Sequence, residues 1–282
     1  MRRKLVKQGS ATMMISLPSK WIKQNNLDKG DEINLEEDEG NLKISAIENK
    51  KKQIQINIST LTESSTRTLI TSAYRLGYDY VIVNYQNSES LELIKKIVDN
   101  NLLGFEIITV EKNKCIIENI TEPSIEQFEN ILSKVFLNIE SLFESAINQT
   151  KEYELIENKI IQFDNFCRRV ITKKGNLLED SFHSSINRGQ REIYHLIKLN
   201  QKLKPETINL IKESQEIFFL LKESYIKKDI KLIEKLHETY KNFEKKIKNH
   251  FQKEQIAIHN ILSATRQFYL ATSPLTGMLL KN

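Results

Sequence analysis

The sequence predicts an α+β multidomain chain: a β-rich domain over residues 1–48, a small α/β domain of βαβαββ order over 49–122, and a six-helix bundle over 123–282. Three observations carry this prediction. Apolar residues alternate with period two near the N-terminus, strand and helix patterns interleave over 53–120, and apolar residues recur at spacings of three and four after Pro123. With only 8 Gly and 4 Pro in 282 residues, regular elements should dominate over loops. A hydrophobic fraction of 39% beside 28% charged residues is that of a globular chain with real cores.

In the first domain, Ala11, Met13, Ile15 and Leu17 alternate with Thr12, Met14 and Ser16, the mark of a half-buried strand. Pro18 is placed at the first position of a short helix, Ser19–Asn25, which ends at Asn26. Gly30-Asp31 turns the chain into a strand with Ile33 and Leu35 inward, and Glu39-Gly40-Asn41 forms a hairpin turn into Leu42, Ile44 and Ala46. Trp21 reads as a core residue. A unit of under about 50 residues without disulfide or metal buries too little to stand alone, so two chains are expected to share one core.

The middle domain begins with a strand at Ile54, Ile56 and Ile58 and a helix introduced by Thr60-x-x-Glu63, a capping-box spacing. Leu69, Ile70, Ala73 and Leu76 give that helix its apolar face, and Gly77 stops it. The strand Tyr80–Tyr85, a helix from Ser88 to about Asn101, and strands at Phe105–Val110 and Cys115–Ile120 follow. In the helical region, Ile125, Phe128, Leu132, Val135, Ile139, Leu142 and Ala146 form one stripe. Further helices fit 153–173, 177–200, 205–226, 229–251 and 253–272, with Pro205 opening one, Asp229 capping the next and Ser273-Pro274 ending the last. Their similar lengths point to two three-helix halves.

Charge is unevenly placed. Residues 1–30 hold Arg2, Arg3, Lys4, Lys7, Lys20, Lys23 and Lys29 against Asp28 alone, and the following twenty residues are strongly acidic. The overall charge of +5 says little about partners, but this local field does. The longest apolar run, Ile217–Leu221, is far below the roughly 20 residues of a membrane helix. Met1-Arg2-Arg3-Lys4 does not open a signal-peptide pattern. Cys115 and Cys167, far apart in different elements, read as buried thiols of a reducing cytoplasm, so a cytoplasmic location with no membrane insertion is expected.

Arg3-Lys4-Leu5-Val6-Lys7-x-Gly9, Ile15-Ser16-Leu17-Pro18-x-Lys20-Trp21 and Leu27-x-x-Gly30-Asp31-x-Ile33 together resemble the AbrB/MazE/SpoVT family of DNA-binding domains. The resemblance implies a swapped-hairpin β-barrel made by two chains, with Arg2, Arg3, Lys4 and Lys7 on double-stranded DNA, Ser10 or Thr12 beside them, and Lys20 nearby. Cations on extended segments also suit DNA whose shape is being read. Alone, a basic N-terminal tail is an ordinary solubility feature; it is the surrounding pattern that singles this one out. The region 53–272, through its layout and positions such as Leu76-Gly77-Tyr78-Asp79, resembles the PhoU family of phosphate-uptake regulators. The combination is similar to archaeal proteins that join the two.

PhoU-family bundles often hold metal through Glu/Asp-x-x-x-Asp motifs. Here Ile160 stands four residues before Asp164, and the third helix reads Asn187-Arg188-Gly189-Gln190-Arg191-Glu192, where Arg191 would repel a cation. Glu192-x-x-His195 and Glu234-x-x-His237 match the spacing by which ferritin-like bundles hold two metals. The buried stripe Ile233, Leu236, Tyr240 nonetheless leaves Glu234 at its flank, so these are read as solvated helix pairs. His183, His250 and His259 read as surface or packing residues. No phosphate loop, nucleophile elbow, Cys–His pair or zinc spacing occurs, so no catalytic residue, cofactor or enzyme activity is assigned.

The expectation is a homodimeric DNA-binding transcription regulator linked to phosphate homeostasis. Two alternatives belong to other classes. One is a phosphate-signalling adaptor that docks on a transporter or sensor protein without DNA. The other is an antitoxin-like module, against which the long bundle weighs, since such antitoxins usually end in a short disordered tail.

Overall fold

A computed structural model describes residues 2–9, 11–38, 40–46, 51–59, 62–121, 123, 127–150, 153–199, 202–248 and 254–281. The chain divides into two compact units, Met1–Lys51 and Lys52–Asn282; the boundary expected at 122/123 falls inside the second.

The first unit holds two antiparallel hairpins and one helix: β1 (Val6–Gln8), β2 (Thr12–Met14), α1 (Ser19–Gln24), β3 (Ile33–Asp38) and β4 (Asn41–Ala46). Pro18 sits one position earlier than expected, as the residue flanking α1, with extended backbone at φ −65° and ψ 129°. Asn25 ends the helix and Asn26 takes the left-handed conformation. The strand expected over 11–17 shrinks to three residues, all of them exposed. Trp21 and Ile22 are half-buried, and no described residue of this unit is buried. The expected half-buried alternation is not seen, since residues 11–16 are exposed on both faces and only Leu17 is half-buried.

In the second unit a four-stranded sheet has the order β5 (Gln53–Asn57), β6 (Tyr80–Asn84), β8 (Lys114–Asn119), β7 (Phe105–Glu111). The β5–β6 pair is parallel and the other two are antiparallel. The helices α2 (Glu63–Arg75) and α3 (Ser88–Asn101) supply the two crossovers. Thr60 lies outside the described residues; Thr62 flanks α2 and makes no side-chain cap. The core face of α2 is Ile70, Ala73 and Tyr74, while Leu69 and Leu76 are exposed. The tyrosine one turn after Ile70 takes the inward position, and the two leucines, seven residues apart, fall together on one flank of the stripe. Gly77, at φ +82°, closes the helix in a conformation that costs a side-chain residue strain. Asn87 caps α3 by accepting the Ser90 N–H at 2.9 Å.

The helical region comprises α4 (Phe128–Asn148), α5 (Tyr153–Lys174), α6 (Leu177–Lys198), α7 (Pro205–Lys227), α8 (Ile230–Lys248), α9 (Gln255–Leu270) and α10 (Thr272–Lys281). Ile125 and His250 lie outside the described residues. Pro205 begins α7, and Asp229 caps α8 by accepting the Lys231 N–H at 2.9 Å. Ser273-Pro274 does not end the region but sits inside the first turn of α10. Backbone N–H groups there have no partner within the helix, so proline is tolerated. The helices α4–α6 pack on one another, α7–α9 do likewise, and the groups meet through α6 on α9 and α4 on α7. Their core is continuous from Phe128 to Leu275. A Cβ on Gly189 would lie 2.5 Å from the Phe268 ring, so this glycine permits the close approach of α6 and α9.

The sheet domain has its own core, from Ile58 to Ile117, and docks on α5 through α2 and α3. Arg169 of α5 is the peg. Fully buried, its guanidinium donates to the carbonyls of Tyr74 and Tyr78 at 2.9 Å each and to the Asp79 carboxylate. It also lies against the rings of Tyr74 and Phe105, about 5 Å from each centroid. Beside it, the Asn165 amide donates to the Asn101 carbonyl at 2.8 Å.

His183 is a packing residue, wedged between Phe128 and Phe182, whereas His259 is exposed. Burial pulls the His183 imidazole down to about 4 from 6.5, a lowering opposed by Asp164. The unfolded chain therefore binds this proton first as pH falls. Stability should be full above about pH 6.5 and decline through the window down to about 4, by up to about 3 kcal/mol. Urea unfolding at pH 7 and pH 4 checks this. The wild type should lose more stability between the two than His183→Leu; equal losses would refute the assignment.

Candidate nucleic-acid interface

The β1–β2 register pairs Lys7 with Met13 and Gln8 with Thr12. Directly paired residues share a face, so Lys7 and Met13 lie on one side of the hairpin while Val6, Gln8, Thr12 and Met14 lie on the other. The structure thus sets Thr12 on the face opposite Lys7 rather than beside it. Arg2, Arg3 and Lys4 precede β1 outside any strand pairing and are exposed. Lys20 and Lys23 are exposed on α1. Ser10 lies outside the described residues.

The acids nearest in sequence are held elsewhere. The Asp31 carboxylate accepts the Asp28 N–H at 2.6 Å, and Asp28 accepts the Lys29 N–H at 2.8 Å, closing the turn at Gly30. Among the described residues, none of Arg2, Arg3, Lys4, Lys7 or Lys20 forms an ion pair. An array of exposed cations without intramolecular partners keeps its full attraction for a polyanion.

The second hairpin is one-sided in apolar content. Ile33 pairs with Ala46, Leu35 with Ile44 and Glu37 with Leu42, so Ile33, Leu35, Leu42, Ile44 and Ala46 share one face. Leu35 is 58% and Leu42 54% exposed, and Leu5 in the first segment is 68% exposed. Such a density of uncovered aliphatic side chains in fewer than 50 residues marks a surface made to be covered.

The metal positions implied by the resemblance do not fit a cation. Asp164, buried on α5, already accepts Arg168 Nε at 2.8 Å and Asn187 Nδ2 at 2.9 Å, with Arg75 at 3.9 Å. Glu192 and His195 lie on α6. On α8, Glu234 is exposed and His237 faces the Thr272 hydroxyl at 3.1 Å. Among the described residues, no three His, Cys, Asp or Glu side chains gather into a metal-binding group. Both cysteines are free and buried, and burial pushes the Cys115 thiol up to about 11.

One concave site gathers Asn187, Arg191 and His195, which the sequence offers only as metal positions, with residues that no motif marks. A cavity of about 630 Å³ opens in the second unit between α2, α3, α5 and α6. Its signal in the sequence is a polar stripe at helical spacing on α2, namely Ser64, Thr68, Thr71, Ser72 and Arg75, which apolar-pattern reading passes over.

Residues 6–53 match the family described as antidote-toxin recognition MazE, bacterial antitoxin. No curated protein and no solved structure matches the chain. Among the described residues, no helix is long and apolar enough to cross a membrane.

Proposed function

We propose that the chain is a homodimeric, cytoplasmic DNA-binding transcription regulator. Two copies of the first unit interleave their hairpins into one barrel and present a doubled cationic face to duplex DNA. The observation that carries this reading is the state of the single copy. Its described residues include none that is buried, its apolar hairpin face is open, and among the described residues Arg2, Arg3, Lys4, Lys7 and Lys20 form no ion pair. A second copy covers the first surface, and a phosphate backbone neutralises the second. The match of residues 6–53 to an antitoxin family supports the same reading. Arg2, Arg3, Lys4 and Lys7 are the proposed phosphate or groove contacts, with Lys20 at the flank.

In this reading the helical region receives a signal tied to phosphate status, supported by its resemblance to phosphate-uptake regulators. A ligand or partner that favours one arrangement of the helices would then change the spacing of the two DNA-gripping faces. The second reading is an antitoxin-type regulator, favoured by the family match and set against the long helical region, which exceeds what toxin capture requires.

The test is a gel shift with duplex DNA at several salt concentrations. The wild type should bind with strong salt dependence. A variant with Arg2, Arg3, Lys4 and Lys7 all replaced by alanine should bind at least about tenfold more weakly, with a shallower salt slope. Equal binding by the two would remove the basis of the proposal.

A further inference from the structure

The cavity in the second unit is lined by Arg67, Arg75, Lys96, Arg191 and Lys198 against the carboxylates Glu63, Glu154 and Glu157. Five cations face three carboxylates, and two of the three, Glu63 and Glu157, are already engaged. Glu63 is shared by Arg67 at 3.6 Å and Lys96 at 3.9 Å. Glu157 accepts the Tyr194 hydroxyl, and burial raises its pKa toward the neutral form. Asp164, just behind the wall, is claimed first by Arg168 and Asn187 and leaves Arg75 at 3.9 Å. Among the described residues, Arg191 and Lys198 form no ion pair.

The cleft is also organised. Arg75 Nε donates to Asn165 Oδ1 at 2.7 Å, and Asn165 is fully buried and anchored on the Asn101 carbonyl. One arginine is thus fixed in advance, at little further entropic cost on binding. Burial lowers the Arg75 pKa, Asp164 offsets this, and Arg168 and Arg191 add to the lowering, as expected where positive charge is undercompensated. Of the α2 hydroxyls at the same wall, Thr68 and Thr71 already donate to backbone carbonyls, whereas the exposed Ser72 hydroxyl makes no hydrogen bond among the described residues. Ile97, Ile161 and Tyr194 supply apolar surface.

We propose that this cleft binds a nucleoside diphosphate or a phosphorylated metabolite of that size, its phosphates on Arg75, Arg191 and the Ser72 hydroxyl. Guanidinium forks and a free hydroxyl at one wall match phosphate oxygens. A volume of about 630 Å³ is within the usual range for organic ligands and far more than a lone inorganic ion fills. The inference does not depend on the DNA-binding reading.

Calorimetric titration of the full chain with ADP, inorganic phosphate and citrate tests it. ADP should bind at one per chain and more tightly than either other probe. Arg191→Gln, an exposed residue whose loss leaves the fold intact, and Ser72→Asp should each weaken ADP by at least about tenfold. The alanine variant at Arg2, Arg3, Lys4 and Lys7 should leave ADP affinity unchanged. Absence of ADP binding, equal binding in Arg191→Gln and Ser72→Asp, citrate binding as tight as ADP, or loss of ADP binding in the N-terminal variant would each overturn the assignment.

Discussion

Replacing Arg169 by leucine should destabilise the second unit by about 3–5 kcal/mol, the range for breaking a buried charge pair from one side. The leucine packs against the Tyr74 and Phe105 rings but takes one donor from each of three acceptors. The Tyr78 carbonyl loses this donor, the Tyr74 carbonyl keeps the Gly77 N–H at 3.0 Å, and the Asp79 carboxylate keeps the Lys52 N–H at 3.3 Å and Lys173 at 3.7 Å. Arg169→Lys should recover part of the loss, since a point charge reaches Asp79 but does not span both carbonyls. The variant should also lose cooperativity. The peg joins the sheet core to the helical core, so urea unfolding followed by near-ultraviolet and far-ultraviolet circular dichroism should show two transitions in place of one. A loss below about 1 kcal/mol with a single transition would show that the two cores are held together mainly by the α2–α5 and α3–α5 packing.

The second large effect is expected at Leu35. An aspartate there would place a carboxylate in the apolar face that a second copy is proposed to cover, at a cost of several kcal/mol to association. Trp21 makes this measurable, because it is the only tryptophan in the chain and lies in the first unit. In the wild type its emission should shift to the red on dilution, as the shared core comes apart. In Leu35→Asp it should be red-shifted at every concentration, with the helical circular dichroism of the second unit unchanged. Identical emission in the two proteins, independent of concentration, would mean that the first unit is complete in one copy.

Much of the fold was legible because its elements follow from local chemistry. The order of strands and helices over 53–119, the α4 stripe, the proline that opens α7 and the aspartate that caps α8 stand where spacing and capping put them. What was not legible depends on partners distant in sequence. Arg169 reads as one charge among many on a polar face, and only the fold reveals that Tyr74, Tyr78 and Asp79 meet it. Leu69 and Tyr74 have similar claims to a core position, and docking onto the sheet decides for the tyrosine. Pro274 looks like a stop because its position within a first turn depends on a helix boundary that the sequence does not mark.

The candidate interface was legible in charge but not in facing. The concentration of cations before β1 is plain, whereas the separation of Lys7 from Thr12 needs the hairpin register. The cleft went unread because its residues come from four helices, and Asn187, Arg191 and His195 on one of them read only as metal positions.

The central claim is that two copies of the first unit make one DNA-gripping surface. Native mass spectrometry of the full chain mixed with a short duplex tests it directly. The expected species carries two chains of 33.0 kDa each on one duplex. A complex with one chain per duplex, or a protein that passes through without DNA, would contradict it.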